Sequence, residues 1–162
     1  MYPNLNFIIE FKMELEKEIK QSKFKSEQHK MLLNILFTGS WLNNNSIKRF
    51  KPFGISPQQY NILRILRGQY PKPASVNLLI ERMLDKNSNA SRLVEKLRQK
   101  KFLKRVVCNE DRRSVNILIT VSGLNLLNEI ENEEKQEMKK MFSHITEKEA
   151  YELNRILDKF RK

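Results

Sequence analysis

Two clusters of polar and basic side chains have the chemistry to bind a polyanion. Hydroxyl and amide groups can hydrogen-bond to base edges, while guanidinium and ammonium groups pair with phosphates. An acid two residues before an arginine can also orient its guanidinium through a bidentate pair. The first cluster is Ser88, Asn89, Ser91, Arg92 and Lys96; the second is Asp111, Arg112 and Arg113. Either nucleic acid or an anionic membrane would supply the matching charge.

The positive charge is concentrated around these clusters. The 162-residue chain has a formal net charge of +12. The window from Lys86 to Arg113 holds ten Lys and Arg against three Asp and Glu, which gives +7 in one short stretch. The stretch from Glu129 to Glu137 is acidic by contrast. No apolar run approaches the length of a spanning helix, so nucleic acid is the favoured partner and no membrane association is predicted.

Signals of catalysis or metal binding are weak. The chain lacks a nucleophile elbow, a phosphate loop and a zinc-protease spacing, and His29 and His144 have no neighbouring metal-ligand pattern. We therefore predict no enzyme activity, no cofactor and no metal. The single cysteine, Cys108, excludes an internal disulfide and fits a reducing cytoplasm. It is interpreted as a small apolar strand residue, with redox sensing as the alternative.

Periodicity and capping signals predict a mainly helical chain with one small hairpin. Ser56, Pro57 and Gln59 form a capping-box start, and Ser75 and Thr146 are further helix caps. β-branched residues dominate two short runs separated by a polar stretch, which indicates a β-hairpin. The predicted helices are Asn4–Lys20, Ser26–Phe50, Pro57 to near Gly68, Ser75–Met83, a helix from Ser88, one after Gly123 to about Phe142 and one after Thr146; the strands are Leu103–Cys108 and Val115–Thr120.

Two short helices followed by a hairpin predict a winged helix-turn-helix. The helix from Ser88 would bury Ala90, Leu93, Val94 and Leu97 and present its polar face, with Arg92 and Lys96, to the major groove of DNA. The hairpin would then lie beside it, and a tip arginine would enter the negative minor groove. A solvated turn is the alternative interpretation of the tip.

The stretch from Ile55 to Gly123 resembles the DNA-binding core of the MarR family of bacterial transcription regulators. The most diagnostic piece is Asp111-Arg112-Arg113, followed by an apolar strand and by Thr120 and Gly123 in a Thr-x-x-Gly pattern. The resemblance implies a homodimer on a pseudopalindromic site, with Arg113 in the minor groove and Asp111 orienting it. It also shows one departure, since Lys101 stands where the family usually has a glycine that ends the recognition helix. A lysine adopts that left-handed conformation at some cost, so a different helix end is the alternative.

The same resemblance implies separate dimerisation and DNA-binding segments along the chain. Residues 1–50 and 122–162 would form dimerisation helices around a winged helix-turn-helix domain at 51–121. A small aromatic effector that releases a repressor from DNA would bind near Phe37, Trp41, Phe53 and Tyr60, although core packing explains these aromatics equally well. The alternative function is a winged-helix interaction module that docks an acidic protein partner.

Overall fold

The computed structural model describes residues 14–107 and 115–162, and it divides the chain into two compact units, one ending at Arg49 and one running from Phe50 to Lys162. Most of the predicted first helix lies outside the described residues. The elements, numbered in chain order, are α1 (Leu15–Glu18), α2 (Glu27–Phe50), α3 (Pro57–Gln69), β1 (Ala74–Ser75), α4 (Val76–Arg82), α5 (Ala90–Gln99), β2 (Leu103–Val107), β3 (Val115–Ile119), α6 (Val121–Met141) and α7 (Glu147–Phe160). Within the described ranges, no helix is both long and apolar enough to cross a membrane.

The first unit contains α1 and nearly all of α2. The side chain of Ser26 accepts a hydrogen bond from the backbone nitrogen of His29 at 3.1 Å, which satisfies one of the open donors in the first turn of α2. Lys30 on α2 donates to Glu16 on α1, and this hydrogen bond lowers the pKa of the Glu16 carboxyl. The predicted helix over Ser26–Phe50 is confirmed, and it continues through Gly39.

The second unit has its own hydrophobic core. Helix α3 contributes to this core, and it begins with the predicted capping box. The hydroxyl of Ser56 accepts from the backbone nitrogen of Gln59 at 3.2 Å, and Gln59 Oε1 accepts from the backbone nitrogen of Ser56 at 2.9 Å. Pro57 fills the first helical position. The largest fully buried side chains of this unit are Phe50, Ile62, Leu63, Leu66, Leu79, Leu97, Leu103, Ile117, Ile119, Leu127 and Ile130.

A three-stranded antiparallel sheet with the order β1-β3-β2 carries the hairpin. Leu103 pairs with Ile119 in the hairpin, and Ala74 of β1 pairs with Ile117 on the other edge of β3. The two predicted hairpin strands are confirmed over Leu103–Val107 and Val115–Ile119, but the predicted strand end at Thr120 is wrong because Thr120 caps α6. Strand β1 was not predicted, because two residues beside Pro73 have no periodicity that distinguishes a strand from a turn.

Helix α6 begins earlier than predicted. The predicted start after Gly123 is wrong, because Thr120 is the N-cap and its hydroxyl accepts from the backbone nitrogen of Gly123 at 3.1 Å. Gly123 therefore lies within the first turn of the helix. A Cβ built on it would overlap the carbonyl oxygen of Phe102 and lie 2.8 Å from Ile119 Cγ1. The predicted cap of Thr146 at the start of α7 is confirmed, and Glu149 completes a capping box with it.

Candidate nucleic-acid interface

Helices α4 and α5 form the predicted helix-turn-helix, and both ends of α4 are capped. The Ser75 hydroxyl accepts from the backbone nitrogen of Leu78 at 3.1 Å at its start. At its end, the Lys86 ammonium donates to the carbonyl oxygens of Glu81 and, at 3.2 Å, of Ile80. A cation at this position also interacts favourably with the C-terminal end of the helix dipole. Lys86 is thus a structural cation of the turn.

The turn between α4 and α5 is fixed by side chains on both sides. Asn61 Oδ1 on α3 accepts from the backbone nitrogen of Leu84 at 3.0 Å. Asp85 accepts from the backbone nitrogen of Asn87 at 3.0 Å and from the Ser88 hydroxyl at 2.7 Å. These bonds, led by that of Ser88, lower the pKa of the Asp85 carboxyl. They define where the chain enters α5.

The predicted start of α5 at Ser88 is wrong by two residues. Ala90 is the first helical residue, and Asn89 is the N-cap, with its side-chain oxygen 2.9 Å from the backbone nitrogen of Arg92. Ser88 stays in the turn because its hydroxyl donates to Asp85. The amide nitrogen of Asn89 keeps its donor capacity, so both residues remain predicted DNA contacts at the N-terminal end of α5.

The buried and exposed faces of α5 follow its sequence pattern. Ala90, Val94 and Leu97 are buried and hold the helix against the core, whereas Leu93, the fourth residue of the predicted buried face, is half-buried against it. Arg92 and Lys96 are exposed on the opposite face, together with Ser91. Within the part of the chain that the structure describes, neither the Arg92 guanidinium nor the Lys96 ammonium has a hydrogen bond or an ion pair, so both can bind an external acceptor.

Glu95 links the outer face of α5 to the hairpin. Its carboxylate lies 2.8 Å from Arg98 Nη2 and 3.0 Å from Arg105 Nη2 of β2. The hydrogen bond from Arg98, and then the charges of both arginines, lower the pKa of the Glu95 carboxyl. The bridge was not predicted from the sequence because Arg105 lies beyond the end of the helix. The one available signal was a single acid, Glu95, among basic residues.

Helix α5 ends in a left-handed cap at Lys101. Its φ is 63°, its backbone nitrogen donates to the carbonyl of Arg98 at 2.9 Å, and that of Phe102 donates to the carbonyl of Leu97 at 3.1 Å. These two bonds define a Schellman motif. The helix therefore ends in the left-handed cap that the family resemblance implies, although Lys101 stands where the family usually has glycine. The Thr120 hydroxyl donates to the Lys101 carbonyl at 2.7 Å and joins this turn to the start of α6.

The hairpin that follows is paired from Leu103–Val107 to Val115–Ile119. The alternate residues Ile117 and Ile119 of β3 are buried, and Leu103 is buried at the start of β2. The predicted tip residues Asp111, Arg112 and Arg113 lie outside the described residues, as does Cys108. Their roles stay predictions.

The four aromatics of the predicted effector pocket are divided between the two units. Tyr60 is buried in the second unit, where its ring stacks on Phe50 with centroids 4.4 Å apart. Phe53 is half-buried against the same core, whereas Phe37 and Trp41 are half-buried on α2. Core packing thus accounts for Tyr60, and the effector pocket stays a prediction. No group of three His, Cys, Asp or Glu suited to a metal ion occurs among residues 14–107 and 115–162.

Comparison with known proteins identifies related chains with this arrangement. The family model described as the MarR family matches residues 53–114. The HTH-type transcriptional regulator PecS of Dickeya dadantii is 28% identical over 116 residues, which are 71% of this chain and 70% of PecS. A MarR transcription factor from Planctomyces limnophilus has a TM-score of 0.64 at 27% identity, covering 84% of this chain and 98% of that one. The S. aureus MepR–DNA complex shares the fold, with a TM-score of 0.68 at 20% identity and coverage of 79% and 91%.

Proposed function

The chain belongs to the MarR family, and from that premise we propose that it binds a pseudopalindromic site on double-stranded DNA as a homodimer and represses transcription. One observation carries the proposal: α5 is fixed by its buried face while Ser91, Arg92 and Lys96 are exposed beside a β-hairpin. A helix presented in this way fits the major groove, where its N-terminal residues contact base edges.

The proposed DNA contacts are of two kinds, those to bases and those to phosphates. Asn89 and Ser91 lie at the N-terminal end of α5, where they are candidates for reading bases. Arg92 and Lys96 are candidates for phosphate contacts, which position the helix without reading sequence. Arg113, oriented by Asp111 and flanked by Arg112, is the candidate for the minor groove.

Apolar side chains on α7 support the homodimer. Leu153, Ile156 and Phe160 recur at helical spacing and are 51%, 43% and 50% exposed in the single chain. A contiguous apolar surface of this kind marks an interaction site in soluble proteins. A second copy of the chain is the proposed partner, and the symmetry of a dimer would place two α5 helices about one helical turn apart on the duplex.

Release by a small aromatic effector is the remaining part of the proposal. Phe37 and Trp41 are half-buried on α2, so they retain surface that an aromatic ligand could contact. Such a ligand weakens DNA binding only if it binds more tightly to a spacing of the two α5 helices that does not fit the operator.

A gel-shift titration with the DNA upstream of the protein's own gene tests the DNA contact. We expect Arg92→Ala and Arg113→Ala each to weaken binding by roughly tenfold, because each removes a charged hydrogen-bond donor to DNA. Arg161→Ala is the matched control, since Arg161 is exposed and pairs with Asp158, three residues earlier on α7. Circular dichroism of all variants checks that folding is unchanged.

Salt dependence provides the second readout. Affinity should fall steeply as salt rises, and a variant that loses a phosphate contact should have a shallower slope. If Arg92→Ala and Arg113→Ala retard DNA as strongly as Arg161→Ala does, the assignment of Arg92 and Arg113 to DNA contacts is contradicted. An absence of retardation together with a co-purifying acidic protein would instead favour the protein-docking alternative.

A further inference from the structure

A basic cleft lies where the end of α5 meets β2. It has a volume of about 620 Å³ and is lined by Arg98, Lys101, Leu103, Lys104, Arg105 and Thr120. Leu103 is buried, whereas the four cationic residues are exposed. The Thr120 hydroxyl already donates to the Lys101 carbonyl, so the ligand-binding donors of the lining are its positively charged groups. A cleft with this lining favours a ligand with several acceptor oxygens.

The four cationic side chains of the cleft differ in their ion-pair partners. Arg98 and Arg105 share the carboxylate of Glu95, at 2.8 and 3.0 Å. The ammonium groups of Lys101 and Lys104 have no hydrogen bond or ion pair with any residue that the structure describes. One acid therefore faces four cations, and two of those cations are available to a ligand.

The backbone at Lys101 makes the cleft unusual. Its φ of 63° lies in the left-handed region, where the backbone of a residue other than glycine is strained. Glycine would satisfy the same turn without that strain. Strained positions of this kind concentrate at functional sites, where the side chain itself is needed. The strain is explained if the ammonium of Lys101 binds a ligand in the cleft.

We propose that this cleft is a phosphate-binding site for a ligand that carries more than one phosphate group. Planar guanidinium groups bind phosphate oxygens bidentately, and lysine ammonium groups add compact positive charge. The volume exceeds what one phosphate ion needs and falls within the range of ligand sites, about 300–1,000 Å³. The ligand is a free phosphorylated molecule, and occupation by a DNA backbone is the alternative that a DNA titration separates. The site goes beyond the proposed function, because it can be occupied without an operator.

Calorimetric titration of the full chain with sodium tripolyphosphate at constant ionic strength tests the site. We expect Lys104→Gln and Lys101→Gly each to weaken binding by roughly three- to tenfold, since each removes one charged donor. Lys72→Gln is the charge-matched control, because Lys72 is exposed on the turn between α3 and β1 and does not line the cleft.

Lys101→Gly separates loss of the ligand contact from loss of the fold. It should raise Tm by roughly 2–4 °C because it relieves the left-handed strain, while it weakens tripolyphosphate binding. Equal weakening by Lys101→Gly, Lys104→Gln and Lys72→Gln would overturn the site, since it would indicate diffuse attraction. Undetectable binding by the wild-type chain at millimolar tripolyphosphate would also overturn it.

A DNA titration of the same variants identifies the source of the phosphates. Weaker DNA binding with a shallower salt slope in both cleft variants would assign the cleft to the DNA backbone and overturn a separate ligand site. Unchanged DNA binding, alongside reduced tripolyphosphate binding, assigns the phosphates to a free phosphorylated molecule. Because tripolyphosphate binding requires no DNA, a failure of the proposed operator binding would leave the calorimetric result interpretable.

Discussion

At the scale of single residues, two positions where α5, β2 and α6 meet place opposite demands on the side chain. Lys101 occupies a left-handed position that glycine would fill without strain, whereas Gly123 occupies a position where any side chain would collide with Phe102 and Ile119. The Thr120 hydroxyl joins the two positions through Lys101 and Gly123. The geometry between α5 and the hairpin therefore depends on contacts within a few residues.

We predict that Gly123→Ala destabilises the protein. The added Cβ cannot be accommodated by moving a flexible side chain alone, because the nearest atom is the backbone carbonyl of Phe102. Overpacking of this kind typically costs about 1–3 kcal/mol of the free energy of unfolding. Urea denaturation followed by circular dichroism measures the change.

Gly68→Ala is the matched control for that substitution. Gly68 lies in the last turn of α3, and a Cβ there meets no atom within 4 Å. Alanine has the higher helix propensity, so this variant should be unchanged or more stable by up to about 1 kcal/mol. Equal destabilisation by both variants would show that the contact with Phe102 is unimportant.

At the scale of elements, α6 is tied to α3 as well as to the sheet. Arg67 of α3 donates to Glu131 of α6, just beyond the buried residues Leu127 and Ile130. This hydrogen bond lowers the pKa of the Glu131 carboxyl below its ordinary value of 4.5 and raises the pKa of Arg67. The ion pair thus fastens the first half of α6 to the winged-helix core.

The sign of the Glu131 shift gives a pH prediction. Because the folded pKa is lowered, the pair stabilises the fold above pH 4.5, and this contribution is lost as the pH falls through the lowered value. Both side chains are about a third exposed, so solvent screening limits the effect to about 1 kcal/mol or less. The difference in unfolding free energy between wild type and Glu131→Gln should therefore be small at pH 7 and shrink in acid.

Glu152→Gln is the control for the pH series. Glu152 pairs with Arg155 within α7, three residues along the same helix, and both side chains are about half exposed. Its removal should change the free energy of unfolding less than Glu131→Gln does at pH 7. A wild-type advantage over Glu131→Gln that grows in acid would contradict the assigned role of the Arg67 pair.

Elements with a local chemical signal were predictable from sequence, and those that depend on distant contacts were not. Ser56 and Thr146 start helices through capping boxes within four residues, and the hairpin strands follow from their β-branched pattern. The start of α5 was misplaced because Asp85 competes for Ser88, and β1 forms only by pairing with β3. The Glu95–Arg105 bridge required the fold for the same reason.

At the scale of the whole molecule, the proposal depends on two chains acting together. Leu153, Ile156 and Phe160 remain substantially exposed in the single chain, and Phe142 at the end of α6 is 45% exposed. Burying such side chains against a second copy would contribute roughly 25 cal/mol for each square ångström removed from water. The exposed apolar face of α7 and the exposed face of α5 are the two surfaces that the proposed regulator needs.

Light scattering coupled to size exclusion, with and without the upstream duplex, tests the central claim most directly. The wild-type chain should elute at about 39 kDa, twice the 19.4 kDa of one chain, and its DNA complex should contain two chains per duplex. The double variant Leu153→Lys and Ile156→Lys should elute as a single chain and bind the duplex at least tenfold more weakly. A wild-type protein that remains a single chain both free and on DNA would contradict the account.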